Sequence, residues 1–346
     1  MRFFFTEEDH LTQVRGSEIR AALVHARHLV VRGRVGDTPP PGTDVWMYGM
    51  GVDGAPPLAD AVVQQLLESS AELVLFQLCD APSMSFERIP ERLAARTRLV
   101  LRNHWPADES KLPEAYRDRI GWLPPMLKTM APHAGEPLVE RTIGSIFFGS
   151  RTGFSNMSGD RNAREETVRI MRASGLPFTG GLLPHREARY HTEPALLVPK
   201  LGERSHTRKL QDSKLCLAPW GNHPLTYRLF EGLALRCLVL AQPISDSRIL
   251  DGGLEPGKHY VEVAADLSNL TELVQYYLEH LDEAQRIADA GHAHFTRHLA
   301  SRGPLVSQWI FDAAVASWGP LYRAGDARGL LPALRGAAAA IWPKKF

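Results

Sequence analysis

Arg228 and Glu231 are charged residues in a segment that is otherwise mostly apolar, LAPWGNHPLTYRLFEGLALRCLVL at 217–240. The apolar runs at its two ends are typical of buried strands, and the residues between them predict a loop and then a helix beginning near Thr226. Residues three apart lie on the same face of a helix, so the two charged side chains are expected to be neighbours. A surface ion pair is the alternative, which the flanking core strands disfavour.

The start of this helix has the chemistry needed to bind a nucleotide. A helix N-terminus carries unpaired N–H groups and the positive end of the helix dipole, and both favour an anion. Arg228 adds a guanidinium that can bind a phosphate through two hydrogen bonds. The carboxylate of Glu231 can accept hydrogen bonds from two vicinal ribose hydroxyls. Thr226 and Tyr227, in the same first turn, are predicted to bind with them.

A second candidate anion site is the loop in FFGSRTGFSNMSGDRNARE at 147–165, which follows another predicted strand. Backbone N–H groups of such a Gly- and Ser-rich loop can surround an anion. Donors are supplied by Ser150, Arg151 and Thr152, and Arg161 and Arg164 flank the start of the next helix. A flexible surface loop is the alternative, because no standard phosphate-loop motif is present. Two phosphate sites in one half of the chain would suit a nucleoside diphosphate.

The elements that position these residues are strands and helices in alternation. Apolar runs alternate with helical patterns over the first 140 residues and again beyond them, which predicts two parallel α/β domains. The Pro- and Gly-containing stretch at 131–142 is interpreted as the linker. Ligands bind beyond the carboxyl ends of parallel strands, so two such sheets predict a site in the cleft between them.

The composition excludes several classes of protein. A length of 346 residues suits two domains, and a net charge of +1 argues against a nucleic-acid partner. No apolar run reaches the roughly 18 residues of a membrane-spanning helix. Cys79, Cys216 and Cys237 form no CxxC pair, which indicates buried thiols in a reducing compartment. Residues 1–10 lack the apolar region of a signal peptide, so a cytoplasmic location is expected.

Three segments resemble the C-terminal half of the protein O-glucosyltransferase and capsule-associated glycosyltransferases, and more loosely the exostosin-like and other GT-B glycosyltransferases. They are SIFFGSRTG with RNAREETVRI, DSKLCLAPWGNHPLTYRLFEGLALRCLVLAQ, and the run that begins LEPGKHYVEVAADLSNL; together they span about residues 145–300. The resemblance implies a GT-B fold, in which two Rossmann-like domains face each other across a cleft. It also implies binding of a nucleotide sugar without a metal or other cofactor.

The resemblance gives individual residues a role. It implies that Arg228 contacts the donor diphosphate, that Ser150 with Arg151 and Thr152 also contacts phosphates, and that Glu231 binds the ribose. The chain departs from the family at FFGS, where the family has a Trp-Arg pair before Gly-Ser. Its N-terminal half shows no acceptor motif of the family.

Three regions are predicted on this basis. Residues 1–140 form a Rossmann-like acceptor domain and residues 141–304 form the nucleotide-sugar-binding domain. Residues 305–346 form C-terminal helices, the first of which, at 305–322, crosses back to the N-terminal domain or, alternatively, completes the C-terminal core. The Ala-rich end is left open as an oligomer contact or a peripheral membrane helix. The sequence leaves the oligomeric state undetermined.

The predicted activity is metal-independent transfer of a hexosyl or pentosyl group from a nucleotide sugar, a UDP-sugar, to a hydroxyl. The acceptor would be a glycan, a lipid-linked saccharide or a protein, as in polysaccharide biosynthesis. A nucleotide-sugar epimerase of the same fold and a non-catalytic sugar-nucleotide sensor are the alternatives.

Inverting transfer also requires a general base that takes the acceptor proton. Asp80 is the favoured candidate because it directly follows the clearest buried strand, AELVLFQLC; the alternative is a helix N-cap or a loop residue. Asp53, His104 and His10 are the other candidates for this role.

Overall fold

A computed structural model describes most of the chain, with gaps. The described residues are 1–8, 16, 19–20, 23–24, 28–50, 57–77, 89–102, 114–122, 135–152, 161–185, 191–221, 224–244 and 254–297. Those up to 122 belong to one compact unit and those from 135 to 297 to a second. Among them, no helix has both the length and the apolar character needed to cross a membrane.

The N-terminal unit is built on a parallel sheet. Six strands lie within its described residues: β1 (Arg2–Glu7), β2 (Leu29–Arg32), β3 (Val45–Gly49), β4 (Glu72–Gln77), β5 (Thr97–Arg102) and β6 (Ile120–Trp122). Their order is β2-β1-β3-β4-β5-β6, and every neighbouring pair is parallel. The helices whose bounds are described are α1 (Asp60–Glu68) and the 3-10 turns Glu91–Leu93 and Glu114–Arg119; residues 16, 19–20 and 23–24 are also helical.

The central strands of this sheet are apolar on both faces. Phe3 and Phe5 of β1 pack into one apolar cluster, and Phe4 of the same strand packs into another on the opposite face. A parallel strand that is covered on both faces reads as a continuous apolar run, as β3 and β4 also do. Buried polar side chains lie near the carboxyl ends of two of these strands, at Thr6 and Glu7 of β1 and at Gln77 of β4.

The C-terminal unit has a second parallel sheet. Its described strands are β7 (Ile143–Ser150), β8 (Phe178–Leu183), β9 (Ser213–Ala218), β10 (Leu238–Ala241) and β11 (Val261–Glu262). Their order is β11-β10-β9-β7-β8. The helices are α2 (Ala163–Ala173), α3 (Glu203–Gln211), α4 (Tyr227–Ala234) and α5 (Leu270–Glu279), with 3-10 turns at Leu138–Glu140 and Pro194–Leu196. Residues 281–297 are also helical.

The strand order of this sheet reverses direction between β7 and β9. From β7 the chain passes to β8 on one side and then returns to β9 on the other side of β7. In open parallel sheets a ligand crevice forms beyond the carboxyl ends of the strands at such a reversal. Strands β7 and β9 end there, with Ser150 and Ala218, and the two candidate anion sites predicted from the sequence follow these strands.

The segment before β7 is attached to the C-terminal unit. Leu138 is buried, and its backbone N–H donates to the side chain of Gln285 at 2.7 Å. Arg141 is also buried and donates to the backbone carbonyls of Glu136 (2.9 Å), Ser213 (2.9 Å) and Leu235 (3.1 Å). The described part of the predicted linker is therefore packed against this unit, while the predicted boundaries at 140/141 and 304/305 stay predictions.

Several predicted features lie outside the described residues. They are the four candidate bases Asp80, Asp53, His104 and His10, the third cysteine Cys79, and the predicted crossing helix at 305–322 with the rest of the C-terminal stretch.

Candidate functional site

The N-terminus of α4 lies where the carboxyl ends of β7 and β9 meet. Helix α4 begins at Tyr227 with Thr226 as its N-cap, as the sequence predicts. The helix forms because Leu229, Phe230 and Leu233 are buried at helical spacing beneath it. This buried face directs Arg228 and Glu231 toward the end of β7, while the Tyr227 side chain is exposed.

Arg228 is held by three acceptors. Its Nη2 donates to the backbone carbonyl of Phe148 in β7, and its Nη1 donates to the carboxylate of Glu231. Nη1 also lies 2.6 Å from Nε2 of His206 in α3. The side chains of Arg228 and Glu231 are only 14% and 16% exposed. The two residues are thus neighbours, as predicted, and their ion pair is largely buried.

Two polar atoms at this helix start have no hydrogen-bond partner. They are the hydroxyl of Thr226, which does not cap the helix, and Nε of Arg228; both are buried. A buried polar group without a partner costs about 1–3 kcal/mol. Natural sites keep such groups where a ligand or a water completes them.

The electrostatics of this group depend on its burial. Burial raises the pKa of Glu231 above its ordinary value, and the charge and hydrogen bond of Arg228 oppose that rise, with a smaller contribution from the charge of Arg164. Burial, followed by the charge of Arg228, lowers the pKa of His206 to about 3. His206 is therefore neutral at physiological pH, and Glu231 lies within the field of two guanidinium groups.

Arg164 is the second of these guanidinium groups. Its Nη1 donates to the carbonyl of Ser150 at 2.9 Å and to the hydroxyl of Thr152. The group lies against the backbone of Gly221 in the loop after β9, where a Cβ would overlap it and come within 2.9 Å of Cζ. Because glycine has no Cβ, residue 221 leaves room for the guanidinium of Arg164.

The other two predicted arginines lie against helix α2. Arg151 donates through Nε to Glu165 at 2.7 Å, and Arg161, which is 44% exposed, lies 4.0 Å from Glu166. In both ion pairs the guanidinium group lies against a glutamate of the first turn of α2. Their predicted donor-binding role stays a prediction, while Arg164, in the first turn of α2, acts on Glu231 of α4 through its charge.

The N-terminus of α2 is capped from within the chain. The side chain of Asn162 accepts hydrogen bonds from the backbone N–H groups of Arg164 and Glu165. Two of the N–H groups that an anion would use are thus occupied by a side chain, whereas the side chain of Thr226, the N-cap of α4, makes no such hydrogen bond.

His206 belongs to the site, but no sequence pattern predicts it. Helix α3 has the polar sequence ERSHTRKLQ with only Leu210 buried, so it lacks the apolar periodicity that predicts a helix. No local pattern connects His206 with Arg228, which lies 22 residues further along the chain.

The described residues contain no group of three or more His, Cys, Asp and Glu side chains that could hold a metal ion. Cys216 and Cys237 are free and buried, as the sequence predicts. Burial raises the pKa of both thiols, that of Cys237 to about 11.

Comparison with known proteins connects this unit with sugar transfer. Residues 164–302, less than half of the chain, match the family described as "Glycosyl transferase-like". This part of the chain is glycosyltransferase-like in sequence. No curated protein sequence matches the chain significantly.

Solved structures match over nearly the whole chain. A glycosyltransferase from Rickettsia africae aligns with a TM-score of 0.58 and 13% identity over 91% of this chain and 99% of its own. A sucrose-phosphate synthase from Thermosynechococcus elongatus gives 0.56 and 10% identity over 92% and 100% of the two chains. HepE from Anabaena, solved with UDP-glucose, gives 0.52 and 12% over 91% and 100%.

The fold is GT-B. Two parallel-sheet α/β units were predicted from the alternation of strands and helices, and that prediction is confirmed. Because the identities are low, the likeness to GT-B structures concerns the fold and leaves the substrates open. The narrower resemblance to the O-glucosyltransferase, capsule-associated and exostosin-like proteins stays a prediction.

Proposed function

We propose that the protein transfers a sugar from a UDP-sugar to a hydroxyl acceptor, without a metal ion, and that the donor binds at the N-terminus of α4. The observation that carries this proposal is the pair of buried, unpartnered polar atoms of Thr226 and Arg228 at the point where the strand order reverses. Anionic oxygens of a diphosphate would complete both of them.

The remaining residues supply the rest of a donor site. Arg164 adds a second guanidinium beside Ser150 and Thr152, so the diphosphate would meet two cations that already lie in place. The carboxylate of Glu231 accepts from Arg228 through Oε2, which leaves Oε1 for the ribose hydroxyls. HepE, with the same fold, was solved in complex with UDP-glucose, which supports UDP as the nucleotide.

The chemistry follows from this arrangement. The bond between the anomeric carbon and the diphosphate oxygen breaks, and the electron pair leaves with the diphosphate. Preorganised guanidinium groups stabilise that developing charge in the transition state. The acceptor hydroxyl forms the new bond to the anomeric carbon and gives its proton to a base. Asp80 is the proposed base, and a glycan, a lipid-linked saccharide or a protein provides the hydroxyl.

The test is a binding and turnover screen on the full-length protein. UDP, GDP and CMP, each free and as sugar conjugates, are titrated by calorimetry, and products are analysed with and without saccharide acceptors. We expect UDP to bind, an Arg228→Ala variant to bind it at least about tenfold more weakly because charge-assisted hydrogen bonds are lost, and an Arg208→Ala variant on exposed α3 to bind normally.

Other outcomes separate the alternatives. Conversion of the donor sugar without an acceptor would identify an epimerase, and binding without turnover would identify a sensor. Complete loss of activity in EDTA that Mn²⁺ or Mg²⁺ restores would overturn the metal-free proposal.

Asp80→Asn should abolish turnover and leave UDP affinity unchanged, because the variant loses the proposed base and keeps the donor site. Full turnover in this variant would remove Asp80 as the base.

A further inference from the structure

His206 contacts the proposed phosphate-binding arginine directly. Its Nε2 lies 2.6 Å from Nη1 of Arg228. A guanidinium has donors only, so Nε2 must accept, and the neutral ring then carries its proton on Nδ1. The ring of Phe148 packs edge-on against the imidazole with centroids 6.1 Å apart.

The imidazole is suited to be a permanent acceptor. Burial and the charge of Arg228 lower the pKa of His206 to about 3, so the ring stays neutral throughout the physiological range. A neutral acceptor holds a guanidinium without neutralising its charge. A carboxylate in the same place would cancel the charge that a phosphate needs, as Glu231 already does in part.

The acceptors around Arg228 define which edge of the guanidinium is available. His206 and Glu231 both engage Nη1, and the carbonyl of Phe148 engages Nη2. Nε is buried and has no partner. The guanidinium is therefore held through both of its Nη atoms, and its Nε–H remains for a ligand.

We infer that His206 is a positioning residue for donor binding, which holds the guanidinium of Arg228 in the orientation that binds the diphosphate. This inference rests on the proposed function, because it assigns His206 a role in the same site. It concerns the orientation of the charge and assigns no proton transfer to the histidine.

The experiment compares two amides that differ only in reach. In His206→Gln the side-chain oxygen extends about as far as Nε2 does, and in His206→Asn it does not. His206→Leu removes the acceptor, and Arg208→Ala, on the exposed side of the same helix, is the control. UDP affinity is measured by calorimetry and the unfolding temperature without ligand by thermal melting.

We expect His206→Leu and His206→Asn to weaken UDP binding by about tenfold, the effect of one hydrogen bond to a charged group. His206→Gln should stay within about threefold of the wild type. Wild-type affinity in His206→Leu, or equal losses in Gln and Asn variants, would overturn the inference. The amide comparison still decides the matter if the leucine variant does not fold.

A spectroscopic measurement tests the inference without altering the site. In a long-range ¹H–¹⁵N spectrum, with His206 assigned by its absence in the Gln variant, Nε2 should be unprotonated from pH 5 to pH 8. A proton on Nε2 in that range would contradict the acceptor role. Unchanged UDP affinity in Arg228→Ala would instead remove the proposed donor site, so the two failures are distinguishable.

Discussion

At the scale of single residues, Gly221 and Arg164 form a pair whose energies should be coupled. A Cβ at 221 would overlap the guanidinium of Arg164. The Arg164 side chain can move away from it, so the backbone around residue 221 can stay in place. We expect Gly221→Ala to leave the unfolding temperature nearly unchanged and to weaken UDP binding as much as Arg164→Ala does. The double variant should then be no weaker than either single variant. Fully additive losses would show that Gly221 acts in another way.

A second prediction at this scale concerns Glu165 and the dependence of the free energy of unfolding on pH. Burial would raise its pKa, but hydrogen bonds from Thr192 and Arg151, with the charges of Arg151 and Arg169, outweigh burial and hold the pKa below its ordinary value of 4.5. A depressed carboxylate pKa stabilises the fold above about pH 4.5, and the contribution is lost as the pH falls through the lowered pKa.

The measurement for Glu165 is the free energy of unfolding in urea between pH 3 and pH 6. Glu165→Gln should flatten its decline on the acid side. Glu193→Gln, at an exposed carboxylate that also pairs with Arg169, is the control and should retain the decline. An unchanged acid slope in Glu165→Gln would rule out this carboxylate as a source of acid sensitivity.

At the scale of the elements, the N-cap of α2 fixes the start of the helix and therefore the backbone position of Arg164 in its first turn. The side chain of Asn162 satisfies two backbone N–H groups at the start of this helix. Asn162→Ala should lower stability by about 0.5–2 kcal/mol in denaturant unfolding, the ordinary cost of losing an N-cap. Asn162→Asp retains the acceptor and loses only the longer hydrogen bond from Nδ2 to the carbonyl of Thr152 (3.4 Å), so it should lose less stability than Asn162→Ala. Equal losses in the two variants would show that this hydrogen bond, and not the cap, accounts for the effect.

The elements also show what the sequence could predict. Strands β3, β4, β7, β9 and β10 each contain a run of apolar residues, and the start of α4 follows a Pro- and Gly-containing loop. These local patterns were sufficient to predict the five strands and this helix. Strand β8 has the sequence FTGGLL, with Gly180 at φ +142° beside the Phe147 carbonyl, where any Cβ would overlap that oxygen. Because two of its residues are glycines, β8 has no apolar run from which a strand would be predicted. Helix α3 was not predicted for a similar reason, because its sequence is polar.

The candidate site was predictable only in part for a related reason. Arg228 and Glu231 are neighbours within one helix, so spacing alone predicts their contact. Arg151, Arg161 and Arg164 are equally plausible from spacing, and only the directions of their side chains distinguish them. Contacts such as that of His206 with Arg228 join separate elements. A single sequence has no local periodicity from which such contacts can be predicted.

At the scale of the whole molecule, Arg141 joins residues before β7 to the body of the C-terminal unit. Its guanidinium donates to three backbone carbonyls from separate segments. Arg141→Met should destabilise the protein by about 3 kcal/mol or more, because buried carbonyls lose their partner. Arg172→Met, at a residue that also contacts carbonyls but is exposed, is the control. Equal, small losses in both variants would show that this connection is not required for stability.

The unpartnered atoms of Thr226 and Arg228 have a consequence for how long the protein persists in a cell. In the proposed donor complex the diphosphate would recover the free energy that they cost, so donor supply and the folded population would be linked. At a free donor concentration about one hundred times Kd, binding adds about 2.7 kcal/mol to the stability of the folded state. Proteases act on the opened chain, so degradation should accelerate when the nucleotide sugar is depleted. The amount of enzyme would then follow the supply of its own substrate, with no regulator required.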